Sequence, residues 1–298
     1  MSILISQKNS VTYVEYCRIV SKDARVSYIK SKNGVSKSFS IPHLNLSLLL
    51  LGPGTSITAS AAKMLSSEGV NVGFTSGGGV PLFLASNSEY RPTEFLQNWI
   101  GWWHEPKERL KRGVLLQEYR IENVLNILPK IAKVDSAILQ SLAEKYRAGL
   151  LRVVSVEELL GYEANFTKGL YKLLASSYSI EKFKRETRTG DDVNQLLDHG
   201  NYLAYGAASV ALWGLGVPPS LAVIHGKTRR GALVFDIADV YKDAIILPSA
   251  FVSASEGDND QTFRKDVINY FDKFGVLSKM FNVVKNISKV DCGSNDSK

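Results

Sequence analysis

Apolar side chains in this sequence keep one period before residue 85 and another after residue 91, and that change constrains the fold more than any other feature. The segments VTYVEYCRIV (11–20) and RVSYIK (25–30) alternate apolar with polar residues and are rich in β-branched and aromatic side chains, which predicts strands. Lys22-Asp23 and Lys32-Asn33-Gly34 supply turn signals between them. The following stretch predicts a strand to Leu51, a Gly-Pro-Gly turn, and a helix from Ser56 to Glu68. Ser56 or Thr58 would cap that helix and Gly69 would end it. A strand over Val70 to Thr75 and a glycine turn at Gly77-Gly78-Gly79 lead into a last strand. Beyond Arg91 the spacing becomes helical: Pro92-Thr93-Glu94 reads as a helix start, and Phe95, Trp99 and Trp102 share one face. Further helices are expected at about 106–128, 135–148, 155–178, 191–213, 231–255 and 260–289, with only a short extended piece at Leu221 to Ile224. The expected fold class is therefore α+β multidomain. An N-terminal β-rich domain over 1–88 precedes a C-terminal all-α domain over 89–298, and VDCGSNDSK is a frayed tail.

A chain that is 45% hydrophobic and 22% charged can bury a core of useful size without disulfides. Its two cysteines, Cys17 and Cys292, lie near opposite ends, form no metal-binding pair, and read as free thiols. The N-terminus lacks a signal-peptide pattern, and the apolar run Leu44 to Leu51 is far too short to span a bilayer. A cytoplasmic location without membrane association is expected. The net charge of +7 raises the odds of a polyanionic partner without identifying one.

Several motifs bear on chemistry. Gly52-Pro53-Gly54 opens a helix after a strand, but Ile57 stands where a dinucleotide fingerprint needs its third glycine, so a structural turn is the better reading. Asp198-His199 looks like part of a metal phosphohydrolase site, yet the chain holds only four histidines, and a structural histidine is favoured. The richer pattern is HGKTRRGALVFDIAD. His225 sits on a glycine turn, a basic cluster follows, and Asp236 and Asp239 lie three apart with Asp243 four residues on. On a helix these carboxylates share a face and repel one another, which a bound cation would relieve. Salt bridges to Lys227, Arg229 and Arg230, or a solvated acidic face, would relieve it too. Glu163, read as opening an amphipathic helix, is a further candidate ligand. Simple compensation of the helix dipole explains it equally well, and spacing does not separate it from Glu157 or Glu158. Lys182, Lys184, Arg185 and Arg188 in a polar linker, with Lys227, Arg229 and Arg230, suit phosphate contacts or a solvated loop.

The runs SLLLLGPGTSITASAAKML, EYRPTEFLQNW, NQLLDHGNYLAYGAAS and LAVIHGKTRRGALVFDIADVYKD together resemble the CRISPR adaptation integrase, the larger of the two core spacer-acquisition proteins, in its type I-F branch. The matching runs cover most of the chain except about 113–155 and the tail. The resemblance implies an N-terminal β-rich domain that forms a homodimer and a helical domain that holds a divalent metal. Its metal ligands fall on Glu163, His225 and Asp239, with Asp236 as a further acidic residue of the site. Carboxylates with one imidazole suit Mg²⁺ or Mn²⁺. The implied activity joins a 3′-OH of a double-stranded DNA fragment to a phosphodiester of the CRISPR repeat, with water as nucleophile giving nicking instead. Lys184, Arg185, Arg188, Lys227, Arg229 and Arg230 would hold DNA. The implied protein partner is a small ferredoxin-like adaptation protein, fused in this branch to a helicase-nuclease. The alternative is a related integrase, or a DNA-binding subunit, acting outside CRISPR adaptation.

Overall fold

A computed structural model describes residues 10–32, 35–74, 82–84, 91–180, 183–186, 191–226 and 231–289. The glycine turn at Gly77-Gly78-Gly79, the expected boundary over 85–90, Lys182, Arg188, Lys227, Arg229, Arg230 and Cys292 lie outside them.

The apolar run before the Gly-Pro-Gly turn becomes the centre of a sheet. Strands β1 (Ser10–Val14), β5 (Leu46–Leu51) and β7 (Asn71–Phe74) pair in parallel in the order β1-β5-β7, and β8 (Leu82–Leu84) adds antiparallel to β7. All six residues of β5 are buried, as expected of a strand covered on both faces. Alternation sends the two faces to different places. Leu48 and Leu50, with Val11, enter the core of the helical region. Leu49 and Leu51, with Val14, face Ile19, Val26 and Ile41 of a second sheet. That sheet runs β4-β3-β2-β6, from β2 (Arg18–Lys22), β3 (Arg25–Lys32), β4 (Val35–Ile41) and β6 (Ser56–Ile57).

The alternating segment 11–20 is thus two strands in two sheets rather than one. The break falls at Tyr16, which takes a left-handed φ of 49° while its N–H donates to the Pro53 carbonyl at 2.9 Å. The helix after the Gly-Pro-Gly turn, α1 (Ala59–Ser67), is capped by Thr58, whose side chain accepts from the Ala61 N–H; Gly69 follows it at φ 70°.

Eight helices follow among the described residues: α2 (Glu94–Trp103), α3 (Pro106–Ile127), α4 (Ser136–Leu150), α5 (Val156–Ser177), α6 (Asp192–Gly214), α7 (Ala232–Glu256), α8 (Asp260–Phe274) and α9 (Val276–Ser288). The single helix expected over 260–289 is two, because Gly275 at φ 60°, ψ 39° ends α8 and starts α9. Residues 221–224 join no sheet, and the chain bends at 223–225. Their carbonyls serve tryptophans instead: the Trp99 and Trp103 indoles donate to Leu221 at 3.1 Å and Ala222 at 2.7 Å. Helix α7 is central, with 18 of its 25 residues buried, so its three aspartates point into the protein and not into water. Among the described residues no helix is long and apolar enough to cross a membrane.

Candidate metal centre

Helix α5 begins at Val156, in line with the helix expected over 155–178, so Glu163 does not open it. Ser155 caps it by accepting from the Glu158 N–H, so Glu157 and Glu158 occupy the first turn and face the helix dipole. Glu163 therefore lies two turns inside the helix, buried, where dipole compensation does not explain it. Helix position separates it from the two neighbouring glutamates, which spacing did not.

His225 sits in the loop between α6 and α7, and one buried carboxylate of α7 shapes that loop. Asp236 Oδ2 accepts from the Val223 and Ile224 N–H groups at 2.6 and 3.1 Å. Its Oδ1 lies 3.1 Å from the His225 N–H and 2.7 Å from His225 Nδ1. A ring that donates from Nδ1 to a carboxylate presents the lone pair of Nε2 outward. Asp236 is thus spent on the loop and on the ring's orientation.

One helical turn on, Asp239 meets the other two. A ligand atom from each of Glu163, His225 and Asp239 lies within 4.8 Å of the others. The structure brings these three together and leaves His199 outside the cluster, paired with Asp260 at 2.6 Å.

Two cations beneath the cluster had no sequence signal that singled them out. Arg120 of α3, almost wholly buried, reaches Glu163 at 2.7 Å and forks onto Asp243. Its remaining donors meet Thr167 at 2.7 Å and Gln117 at 3.3 Å, and Tyr146 also donates to Gln117 at 2.8 Å. Lys242 pairs with Asp239 three residues back on α7. The three aspartates of α7 therefore diverge in use: Asp236 holds the loop, Asp239 faces the cluster, and Asp243 anchors Arg120. Lys242 stands three residues after Asp239, a spacing that does not by itself say which carboxylate it serves. Arg120 comes from a helix more than a hundred residues away in sequence.

Electrostatics follow from these contacts. Burial pushes the Asp239 carboxyl up, but Lys242 and Arg120 outweigh it and hold the group below the usual carboxylate range. Burial pulls Arg120 down, yet Asp243 and Glu163 keep it well above its ordinary value. Burial also opposes charge on His225, but the hydrogen bond and the charge of Asp236 raise it above an ordinary histidine. Four carboxylates (Glu163, Asp236, Asp239, Asp243) thus face two permanent cations (Arg120, Lys242) among the described residues. Two negative charges are left over, and Glu163 Oε2 is buried without a hydrogen-bond partner. A divalent cation fits both the leftover charge and that open oxygen, and the donor set of two carboxylates and an imidazole suits it chemically.

The DNA-binding candidates are placed differently from one another. Lys184 is well exposed and pairs with Glu186 at 2.8 Å. Arg185 is largely covered, pairs with Asp198, and donates to Asn194 at 2.8 Å and to the Glu186 carbonyl at 2.7 Å, so it ties the linker to α6.

The sequence model of the family described as "CRISPR associated protein Cas1" matches residues 13–267. The chain belongs to the Cas1 family. It is 39% identical to the CRISPR-associated endonuclease Cas1 of Pectobacterium atrosepticum, over 96% of this chain and 94% of that one. It is 40% identical to the protein of that name from Pseudomonas aeruginosa, over 97% and 95%. Among solved structures, a Cas1 protein from Thermotoga maritima superposes with a TM-score of 0.75 at 16% identity, covering 94% of this chain and 96% of that one. TtCas1 in complex with DNA gives 0.73 at 21%, covering 97% and 94%; both likenesses establish the fold.

Proposed function

We propose that this Cas1-family chain is a divalent-metal-dependent DNA endonuclease and strand-transfer integrase of CRISPR adaptation, with Glu163, His225 and Asp239 holding Mg²⁺ or Mn²⁺. The convergence of three ligand atoms within 4.8 Å, on an acidic cluster that Arg120 and Lys242 neutralise only in part, carries the reading. Glu163 offers Oε2, His225 offers Nε2, and Asp239 offers a carboxylate kept ionised by Lys242 and Arg120. Asp236 is a positioning residue: it fixes the tautomer and the angle of His225. Arg120 pairs with both Glu163 and Asp243 and holds them in place. A cation bound there supplies charge neutralisation at the scissile phosphate during in-line attack by a 3′-hydroxyl or by water. The first nucleophile gives integration and the second gives nicking.

The same reading assigns double-stranded DNA as substrate, in keeping with the DNA complex of TtCas1 and with the similarity to a casposase bound to its integration product. Residues 1–88 serve as the dimerisation domain and 89–298 as the catalytic one. A small ferredoxin-like partner fused to a helicase-nuclease completes the assembly; a Cas6-RT-Cas1–Cas2 complex among the fold relatives supports a Cas2 partner and does not bear on the fusion. Lys184, with Arg188, Lys227, Arg229 and Arg230, contributes phosphate contacts, while Arg185 is committed to Asp198 and Asn194.

The deciding experiment incubates a labelled duplex carrying free 3′-OH ends with a supercoiled repeat plasmid, the partner protein and Mg²⁺ or Mn²⁺. Glu163→Ala, His225→Ala and Asp239→Ala should each abolish strand transfer while duplex binding persists. Normal integration by any of the three would remove that residue from the metal-holding set, and normal integration by all three would end the proposal.

A further inference from the structure

Helices α4 and α5 pack antiparallel and leave a groove along their outer side. Two glycines set its depth. A Cβ on Gly169 would come 2.7 Å from the Leu142 side chain, and one on Gly149 would come 2.5 Å from the Tyr162 ring, so a side chain at either position would push Leu142 or Tyr162 aside. The groove encloses about 500 Å³, and Leu142 with the stacked rings of Tyr146 and Phe166, centroids 4.7 Å apart, forms its floor. Lys145 stands on one bank and Lys168 and Lys172 on the other. Among the described residues none of the three lysines has an ion-pair partner, and no carboxylate lines the groove. On α5 these residues face away from Glu163, which points into the protein.

Exposed apolar side chains stand at both ends of this hairpin, and Tyr162 lines the groove itself. Four of the ten large hydrophobic residues exposed among the described residues belong to this hairpin and its loop: Ile138 at 50% exposure, Leu151 at 89%, Val154 at 76% and Tyr162 at 37%. Leu151 and Val154 share the connecting loop, close in sequence to the Gly149–Tyr162 contact, and exposed apolar side chains grouped in this way mark interaction surfaces. Uncompensated lysines on both banks call for an anionic occupant, and exposed aliphatic side chains have no use in gripping phosphates.

We infer that the α4–α5 groove is a docking surface for an acidic amphipathic segment of a partner protein, whose apolar side chains cover the floor and the exposed apolar residues while its carboxylates meet Lys145, Lys168 and Lys172. Charge complementarity and the exposed apolar side chains together select this occupant over a nucleic-acid strand.

The test uses a fluorescein-labelled synthetic helical peptide with leucines at i, i+3, i+4 and i+7 and glutamates elsewhere, a scrambled peptide of equal charge, and a labelled oligothymidine of similar length. Fluorescence anisotropy with the full chain should show the amphipathic peptide binding at least tenfold more tightly than the scramble. Both Leu151→Ser/Val154→Ser and Lys145→Glu/Lys168→Glu/Lys172→Glu should weaken it at least tenfold. Hydrogen exchange should show protection of 136–172 by the peptide, and circular dichroism should show both variants folded. Three results would overturn the inference: no peptide binding at about 100 µM, peptide binding that both variants leave unchanged, or oligothymidine binding that the lysine variant abolishes while the peptide does not compete. A concentration-dependent dimer that Leu151→Ser/Val154→Ser dissolves would also overturn it, by assigning the groove to a second copy of this chain.

Discussion

Asp236→Asn isolates the positioning role of Asp236, because it preserves shape and removes only the charge and one acceptor oxygen. In the native loop Oδ1 serves the His225 N–H and Nδ1, while Oδ2 serves Val223 and Ile224. An asparagine must turn its NH₂ toward one of these pairs. Facing Val223 and Ile224 it would orphan two buried backbone donors. Facing His225 it orphans only one and can donate to Nδ1, which forces the ring into the tautomer with its proton on Nε2. The second arrangement costs less, about 1–3 kcal/mol for the single unpaired donor. It leaves Nε2 without a lone pair for a metal. Removing an outer partner of a metal-ligating histidine typically costs about 10–100-fold in metal affinity. Titration calorimetry with Mn²⁺ should therefore show affinity falling by that factor, alongside a modest loss of thermal stability and an otherwise folded protein. Wild-type Mn²⁺ affinity in Asp236→Asn would refute the tautomer argument.

Arg120→Met leaves Glu163 and Asp243 buried without their shared cation; urea unfolding should show a loss of about 3–5 kcal/mol, and Arg120→Met/Asp243→Leu should recover part of it. Metal affinity should depend on pH through His225, whose raised pKa lets protons compete from a higher pH than at a free histidine. Mn²⁺ affinity should be constant at alkaline pH and fall about tenfold per unit once pH drops below that value; affinity that stays flat down to about pH 5.5 would contradict this. Lys184 and Arg185 should separate cleanly. Lys184→Ala keeps its melting temperature and lowers the salt slope of DNA binding by about 0.9 per lost phosphate contact, whereas Arg185→Ala lowers the melting temperature by removing the ion pair with Asp198 and the hydrogen bond to Asn194.

Hydrophobic period was enough to place the strand-rich front, the helical back and most helix ends, because burial on one face imposes a repeat of two or 3.6 wherever an element forms. It failed where backbone conformation at one residue decides: Tyr16 splits an alternating segment into two sheets, and Gly275 splits a helical one into two helices. The aspartates at 236, 239 and 243 were visible as a repulsive face of one helix, and the family resemblance joined them to His225 and Glu163. Their separate duties were not visible. Asp236 works on a loop eleven residues back, Asp243 on an arginine of α3, and Asp239 on α5 through the cluster.

Along the chain, residue types and spacing determined which elements form and which carboxylates are brought onto one helical face. Tertiary structure decided everything that depends on one helix meeting another. It buried Glu163 opposite His225 and Asp239, supplied Arg120 from beneath, and left one glutamate oxygen and two charges uncompensated. Local periodicity records only which way a side chain leaves its own helix. The partner it meets is chosen by how the helices pack.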